Sequence, residues 1–163
     1  MAYVLDSDTL IQAKDENYPF DICPGFWNWL ERECKSGRLH SVRAVRDELG
    51  HGNDELADWA KAQGDRFFLP VDERTSGAMA AVSGWVQAGD FRDDAKRKFL
   101  AGADPWLVAH ALAHKHTVVT REIHIEGEKR AVKIPTVCTA LSVSCTRPLD
   151  MLRKERVQFV LKK

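Results

Sequence analysis

Tyr3-Val4-Leu5-Asp6 opens the chain with a short apolar run that ends on a carboxylate. An uninterrupted apolar run predicts a strand that is buried on both faces, because a strand with one wet face would alternate apolar and polar residues. Thr117-Val118-Val119-Thr120 shows the same pattern much later in the chain. Two such strands, separated by segments with helical periodicity, predict a parallel sheet that is covered by helices.

The segments around these strands space their apolar residues one helical turn apart and are interrupted by Gly and Pro. The predicted helices cover 26–36, 41–49 with Ser41 as the N-cap, 54–63, 73–100 with a break at 89–90, 104–114 and 149–153. A loop is predicted over 15–25, an extended segment over 67–70 and a last strand over 157–161. The predicted fold class is α/β, a three-layer α/β/α sandwich around a central, mostly parallel sheet.

The bulk composition is that of an ordinary globular chain. Its 163 residues suffice for one domain, 1–163. Lys plus Arg and Asp plus Glu both number 24, so the formal net charge is zero and a basic nucleic-acid-coating surface is not expected. No apolar stretch approaches the roughly 20 residues of a membrane helix, and no secretory signal is recognised. We therefore expect a cytoplasmic protein with no membrane contact, whose four cysteines are reduced.

Carboxylates follow the predicted strands at the places where a parallel sheet binds ligands, beyond the carboxyl ends of its strands. Asp6 follows the first strand directly, and Glu122 comes two residues after Thr120. Asp104 precedes a proline, which predicts an N-cap with proline at the first helical position. Glu48 borders the apolar face of its predicted helix. Each acid alone has an ordinary explanation as a helix cap, a solvated acid or a surface ion pair, so the prediction depends on the set of four.

A cluster of carboxylates fits Mg²⁺ or Mn²⁺, which prefer oxygen ligands. Such ions activate water and stabilise the charge on a phosphate that is being cleaved. Acids that cluster without a cation would repel one another and take up protons. We therefore predict that Asp6, Glu48, Asp104 and Glu122 are both catalytic residues and metal ligands.

The same residues carry a resemblance to PIN-domain nucleases, over roughly the whole chain. The matching stretches are Tyr3–Ile11, Val45–Leu49, Ala103–Ala111 and Thr117–Glu122. The chain most resembles a bacterial PIN-like subgroup of uncharacterised function, which shares the aromatic segment Phe26–Leu30 and the stretch Lys133–Cys138. The resemblance implies an α/β/α sandwich, Mg²⁺ or Mn²⁺ and endoribonuclease activity on RNA. Many members are VapC-like toxins, so it also implies an antitoxin partner and a homodimer.

Two positions depart from the usual pattern of that family. Asp8 replaces a usual Asn, and Glu122 stands where Asp is typical. Glu122 then reaches the metal through water, or another acid such as Glu126 takes its place. Asp8 and Thr120 are auxiliary candidates in the site.

Basic residues occur in two groups that are candidates for contact with RNA phosphates, from which most affinity for nucleic acid comes. These residues are Lys96, Arg97, Lys98, Arg43 and Arg46. The alternative is that they form solvated helix faces.

Other functions remain open at this stage. Asp6-Ser7-Asp8 with Asp90 and Asp94 suggests a phosphatase of the haloacid dehalogenase class, although the strand ending in Thr120 comes after the second acidic group, whereas that class needs it before. An RNA-processing or DNA-acting PIN nuclease and a non-catalytic nucleic-acid-binding module are further alternatives.

Three histidines, His110, His114 and His116, suggest zinc, because two of them lie four residues apart on one predicted helix. No Glu follows His110 as a metalloprotease helix would require. We interpret these histidines as packing residues or as residues favoured by the helix dipole at the helix C-terminus.

Overall fold

The structure is a computed structural model that describes residues 1–161, so Lys162 and Lys163 of the predicted domain 1–163 lie outside the described residues. Within 1–161, five strands form one sheet. The strands are β1 (Tyr3–Leu5), β2 (Leu39–Val42), β3 (Phe68–Leu69), β4 (Thr117–Val119) and β5 (Ser144–Thr146). Their order is β3-β2-β1-β4-β5, and all four neighbouring pairs are parallel.

Helices connect and flank the strands, as parallel pairing requires. They are α1 (Ser7–Gln12), α2 (Pro24–Lys35), α3 (Arg43–Gly50), α4 (Glu55–Phe67), α5 (Glu73–Ala88), α6 (Asp93–Ala101), α7 (Asp104–His114), α8 (Ile134–Ala140) and α9 (Pro148–Lys154), with a π-helical turn at Ala13–Asn17. Among the described residues, no helix is both long enough and apolar enough to cross a membrane. All four cysteines are free thiols.

The strand order places a crevice at the centre of the sheet. β1 pairs with β2 on one side, Tyr3 opposite Leu39, and with β4 on the other, Tyr3 opposite Thr117. Going along the chain, the sheet grows outward from β1 in one direction and then continues from β4 in the other. The connections therefore diverge at the carboxyl ends of β1 and β4, which is where open parallel sheets bind ligands.

Helix α7 is buried in the hydrophobic core of the molecule. Its middle residues Leu107, Val108 and Ala109 are all fully buried, so the helix is apolar around most of its circumference. It packs against α5 and contacts β1, β2 and β4. The end of this helix that meets the crevice begins at Asp104.

The α/β class with a parallel central sheet and flanking helices is confirmed. The predicted strand β1 and the predicted helix over 104–114 are present. Within the predicted loop 15–25, the π-helical turn reaches Asn17 and α2 already begins at Pro24.

Two predictions about local structure are wrong. Ser41 does not cap a helix: it lies in β2, where its hydroxyl donates to the Leu5 carbonyl across the sheet, and α3 starts at Arg43. Residues 157–161 do not form a strand. Instead Phe159 packs its ring against Tyr18 and Phe26.

Candidate functional site

The acids predicted from the sequence come from four separate segments, and the structure brings them together at the carboxyl end of the sheet. Asp6 follows β1 directly, Glu48 lies in α3, Asp104 begins α7 and Glu122 follows β4. The negative charges of Asp6, Glu48 and Glu122 all raise the pKa of Asp104, so the four carboxylates lie within electrostatic reach of one another.

Asp6 is held at the end of β1 by its own backbone and by the helix that follows. Its N–H donates to the Val119 carbonyl, which extends the pairing of β1 with β4 by one residue. Its carboxylate caps α1 by accepting the Thr9 N–H at 2.8 Å. Burial raises the pKa of Asp6 to about 6, although hydrogen bonds from Thr120 and Thr9 oppose the rise. A buried carboxylate with a raised pKa gains when a cation replaces its proton.

Asp104 is the most perturbed of the four acids. It occupies the first turn of α7, whereas Ala103 is the N-cap and Pro105 follows within the turn, so the prediction that Asp104 is the cap is wrong by one position. Burial and, to a smaller extent, the charges of the neighbouring acids together raise the pKa of Asp104 to about 7, with Glu122 contributing most among the acids and Asp8 least. Asp8 itself is exposed and contributes to the site through its charge.

Glu48 is fixed by contacts to both of its carboxylate oxygens. The Ser7 hydroxyl donates to Oε2 at 2.5 Å, and the Ala103 N–H donates to Oε1 at 2.8 Å. Gly102 makes the second contact possible, since a Cβ on this residue would lie 3.3 Å from Oε1. Each oxygen keeps a further lone pair, so Glu48 can still bind a cation.

Glu122 is oriented by the segments on both sides of it. Its Oε2 accepts the N–H of Ile134, the first residue of α8, at 2.7 Å. Its own N–H donates to the Thr120 hydroxyl, and its Oε1 lies 3.6 Å from Lys133 Nζ. The alternative acid Glu126 is exposed and lies further along the loop. Thr120 therefore contacts two of the acids, which gives this auxiliary candidate a structural role.

A cleft of about 230 Å³ opens onto these acids. Glu48, Asp104 and Glu122 line it together with three basic residues, Lys98, Arg130 and Lys133. Three acids and three basic residues therefore share one cleft. This arrangement places positive charge beside the acids in a chain with no net charge.

Among the predicted RNA contacts, only Lys98 lines this cleft within the described residues. Arg43 and Arg46 both pair with Asp65, and Lys96 donates to the Gln87 carbonyl. Arg97 is exposed on α6.

Sequence reasoning missed Arg130 and Lys133 as cleft residues. The signal that could have found them is Pro135, which marks a helix start and places the preceding residues at its N-terminus. Gly102 and Ser7 were also missed, because their roles depend on the approach of Glu48 from a distant part of the chain.

The acids that the phosphatase alternative requires lie elsewhere. Asp90 pairs with Lys129, and Asp94 pairs with Arg92 at 3.0 Å. Both carboxylates are more than half exposed, and neither lines the cleft in the described part of the chain.

The donor set fits a hard divalent cation. It consists of carboxylate and hydroxyl oxygens, which Mg²⁺ and Mn²⁺ prefer. The raised pKa values of Asp6 and Asp104 show that positive charge near these two carboxylates does not balance their burial and repulsion. A cation with two charges would provide that balance.

A family model described as a domain of unknown function, DUF4411, matches residues 3–159. The chain belongs to the DUF4411 family. No curated protein matches this DUF4411 chain.

A solved structure shares the fold of this DUF4411 protein. It is the crystal structure of VapBC2 from Rickettsia felis bound to a DNA fragment from their promoter. The match covers 90% of this chain and 98% of the other, with a TM-score of 0.54 and 13% sequence identity. At that identity the likeness shows a PIN-like fold and nothing finer.

Proposed function

We propose that this DUF4411 protein is a metal-dependent nuclease that hydrolyses RNA phosphodiester bonds. The observation that carries the proposal is that four carboxylates lie within electrostatic reach of one another at the carboxyl ends of β1 and β4, three of them in a cleft that Lys98, Arg130 and Lys133 also line. The PIN-like fold supports a nuclease of this class. A binding module without catalysis would have no need to keep four repelling acids close to one another.

In this proposal Asp6, Asp104, Glu48 and Glu122 hold one or two Mg²⁺ or Mn²⁺ ions. The ions supply activation of water and neutralisation of the phosphate charge. Asp6 and Asp104, whose pKa values lie at about 6 and 7, give up their protons when a cation binds. Glu48 and Glu122 are held in place by backbone N–H groups, which fix the direction of their carboxylates.

The basic residues of the cleft bind and orient the substrate. In this proposal Lys98 and Arg130 contact phosphates of the substrate, and Lys133 limits the negative charge at Glu122. Because these contacts are to phosphates, they fix the position of the chain without reading its bases.

The experiment that tests the proposal compares two neighbouring acids of α3. Glu48→Gln removes a site carboxylate, whereas Asp47→Asn removes an exposed charge beside it. With labelled single-stranded RNA and Mn²⁺, we expect Glu48→Gln and Asp104→Asn to lower the cleavage rate by roughly 100-fold or more, as loss of a metal-site residue does. Asp47→Asn should remain within about threefold of the unmodified protein, since exposed substitutions perturb little.

Two results would contradict the proposal. Cleavage that persists in EDTA would exclude a metal-dependent mechanism, and equal rates for the Glu48 and Asp47 variants would exclude this site. Single-stranded DNA and duplex RNA are run in parallel, so that cleavage of DNA alone would overturn the assignment of RNA as substrate.

We propose further that the protein is the toxin of a toxin–antitoxin pair. The support is the fold likeness to VapBC2, a complex solved on a promoter fragment. Growth of a bacterial host should arrest when the unmodified chain is induced and continue when Glu48→Gln is induced.

A small open reading frame that adjoins and overlaps this one should encode the antitoxin, and its co-expression should relieve the arrest. Growth that is equally unaffected by both chains would favour an RNA-processing role. The predicted homodimer is checked by light scattering during size-exclusion chromatography.

A further inference from the structure

We propose that His40, His110 and His116 form a second metal site, which binds a transition-metal ion of the zinc class. These residues come from β2, from the middle of α7 and from the position just before β4. One ring nitrogen of each lies within 4.8 Å of a ring nitrogen of both others. His40 is buried in β2, a strand that the sequence did not predict, which is why it was absent from the histidine group seen in the sequence.

The cluster lies away from the carboxylates, near the amino ends of the strands. His116 precedes the first residue of β4, which pairs with Tyr3 at the start of β1. His110 follows Asp104 by six residues on α7, which corresponds to about 9 Å along the helix axis. The two sites can therefore be occupied and tested separately.

The chemistry of the donors selects the ion. The cluster offers imidazole nitrogens, which suit zinc, copper, nickel and cobalt, whereas Mg²⁺ and Mn²⁺ prefer oxygen. His40 Nε2 and His110 Nε2 share a hydrogen bond of 3.0 Å, so one of them carries a proton that an ion would displace. The separation is close to the roughly 3.3 Å between neighbouring nitrogens of a tetrahedral site with zinc–nitrogen bonds of about 2.0–2.1 Å. Rotation of the partly exposed His116 ring would close the remaining separation.

The rings are in the protonation state that binds metal. Burial, together with the neighbouring histidines, lowers the pKa of His40 to about 3 and that of His110 to about 4. Burial also lowers the pKa of His116. Burial therefore favours the neutral form of these rings, which is the form that binds a metal ion.

Surrounding groups orient the rings. The Thr75 hydroxyl lies 3.2 Å from His110 Nδ1, which leaves His110 Nε2 facing His40. The N–H of Ala2 donates to His116 Nδ1 at 3.2 Å. An ion bound at His116 Nδ1 would replace this bond. The Thr75 contact at His110 Nδ1 is of the kind that orients histidine ligands, whose second ring nitrogen donates to an oxygen.

His114 is the candidate for the fourth position and for the entrance. It lies one turn after His110, with 4.6 Å between the ring centroids, and its Nε2 is 2.8 Å from Asp72 Oδ2. Its side chain is 19% exposed, so an ion can reach the buried rings from this side. Either His114, after leaving Asp72, or water completes a four-coordinate site.

The test is a titration of the full chain, stripped with a chelator, with Co²⁺ as a spectroscopic substitute for Zn²⁺. We expect one equivalent of Co²⁺ to produce the intense visible absorption of a four-coordinate site and Zn²⁺ to abolish it. Asp104→Asn should keep this signal. His116→Gln should weaken binding at least about tenfold, because it removes one ligand at a partly exposed position where folding is least at risk.

His51→Gln is the matched control, since His51 is an exposed histidine outside the cluster and should leave the titration unchanged. Thermal unfolding gives a second measurement: Zn²⁺ should raise the Tm of the unmodified chain and of Asp104→Asn but not of His110→Gln. Absence of saturable absorption in the unmodified chain would overturn the site. So would a signal that is lost in Asp104→Asn and kept in His116→Gln. Neither result bears on the proposed nuclease, whose test uses Mn²⁺ and the Glu48 variant.

Discussion

At the residue scale, backbone N–H groups at helix starts hold the site carboxylates. Asp6 accepts from Thr9 in α1, Glu48 from Ala103 at the cap of α7, and Glu122 from Ile134 in α8. Each such bond to an ionised oxygen favours the charged form and fixes its direction. The fold therefore positions repelling acids by hydrogen bonds that do not consume all of their lone pairs.

Gly102 provides a prediction about the precision of this arrangement. An added Cβ would lie 3.3 Å from Glu48 Oε1, closer than a comfortable contact, so Gly102→Ala should push the carboxylate aside or weaken its bond from Ala103. We expect the rate of Mn²⁺-dependent RNA cleavage to fall about tenfold or more, because small displacements of catalytic groups are costly. The apparent affinity for Mn²⁺ should fall with it.

Gly84→Ala is the control for this substitution, since Gly84 lies inside α5 with no atom within 4 Å of an added Cβ. It should leave cleavage unchanged and stabilise the helix by about 0.5–1 kcal/mol. Full activity in Gly102→Ala would show that Glu48 does not need this close approach.

The sequence predicts some of these residues far better than others. Asp6 and Asp104 follow from local rules, a strand end and a helix start. The roles of Gly102 and Ser7 do not, because both contact Glu48 across more than forty residues of chain and nothing local to them indicates that contact. His40 was missed for the same reason, since its partners are on α7 and before β4.

At the element scale, the sequence missed one strand that buries polar residues and one short strand that is exposed. β2 reads Leu-His-Ser-Val, and all four residues are buried, yet His40 and Ser41 break the apolar run that predicts a central strand. Ser41 is satisfied by the Leu5 carbonyl, a contact available only after β1 and β2 pair. β5 is short, polar and at the sheet edge, so it carries neither periodicity nor burial as a signal.

The segment 157–161 shows the opposite error. Its Val, Phe and Leu residues predict a strand, yet the segment packs over Gly25 instead. A Cβ added to Gly25 would lie 3.3 Å from the Phe159 ring. The ring centroids of Phe159 and Tyr18 are 5.7 Å apart, and those of Phe159 and Phe26 are 6.2 Å apart. The apolar residues of this segment therefore take part in aromatic packing and do not pair as a strand.

Phe159→Ala tests that packing. Because the ring is 38% exposed, we expect a loss of about 1–2 kcal/mol in the free energy of unfolding, less than the 3–5 kcal/mol of a fully buried Phe. Val160→Ala, at a side chain that is 80% exposed, should change stability by less than about 0.5 kcal/mol. Urea denaturation of both variants measures the difference, and equal stabilities would show that this segment does not pack on Tyr18 and Phe26.

At the scale of the whole molecule, the titratable groups at the two ends of the sheet have pKa values that are shifted in opposite directions. Carboxylates with raised pKa values lie at the carboxyl end, and imidazoles with lowered pKa values lie near the amino end. Between about pH 4 and 7 the folded acids hold more protons than the unfolded ones, so their contribution to stability falls as pH rises. The folded histidines hold fewer protons than the unfolded ones, so their contribution rises with pH. Because the two contributions oppose each other, the pH dependence of stability that comes from either site can be measured only by comparison with a variant that lacks that site.

Asp104→Asn separates the two contributions, because the histidines are the same in both proteins. The pKa of Asp104 is raised from 3.8 to about 7, so the charged side chain destabilises the fold above that range while Asn imitates its neutral form. Without divalent metal, we expect Asp104→Asn to be more stable than the unmodified chain by up to about 4 kcal/mol near pH 8, and by roughly half of that near pH 5. Urea denaturation at both pH values measures the difference.

Addition of Mn²⁺ should reverse this order near pH 8. The cation binds the ionised carboxylates of the folded chain and stabilises it by mass action, whereas Asp104→Asn has lost a ligand and gains less. Near pH 5 the protonated Asp104 competes with the cation, so the stabilisation by Mn²⁺ should be smaller there. If Asp104→Asn is instead the less stable protein near pH 8 without metal, then Asp104 is not the uncompensated charge that its burial and its acidic neighbours imply, and the case for a cation at this end of the sheet fails with it.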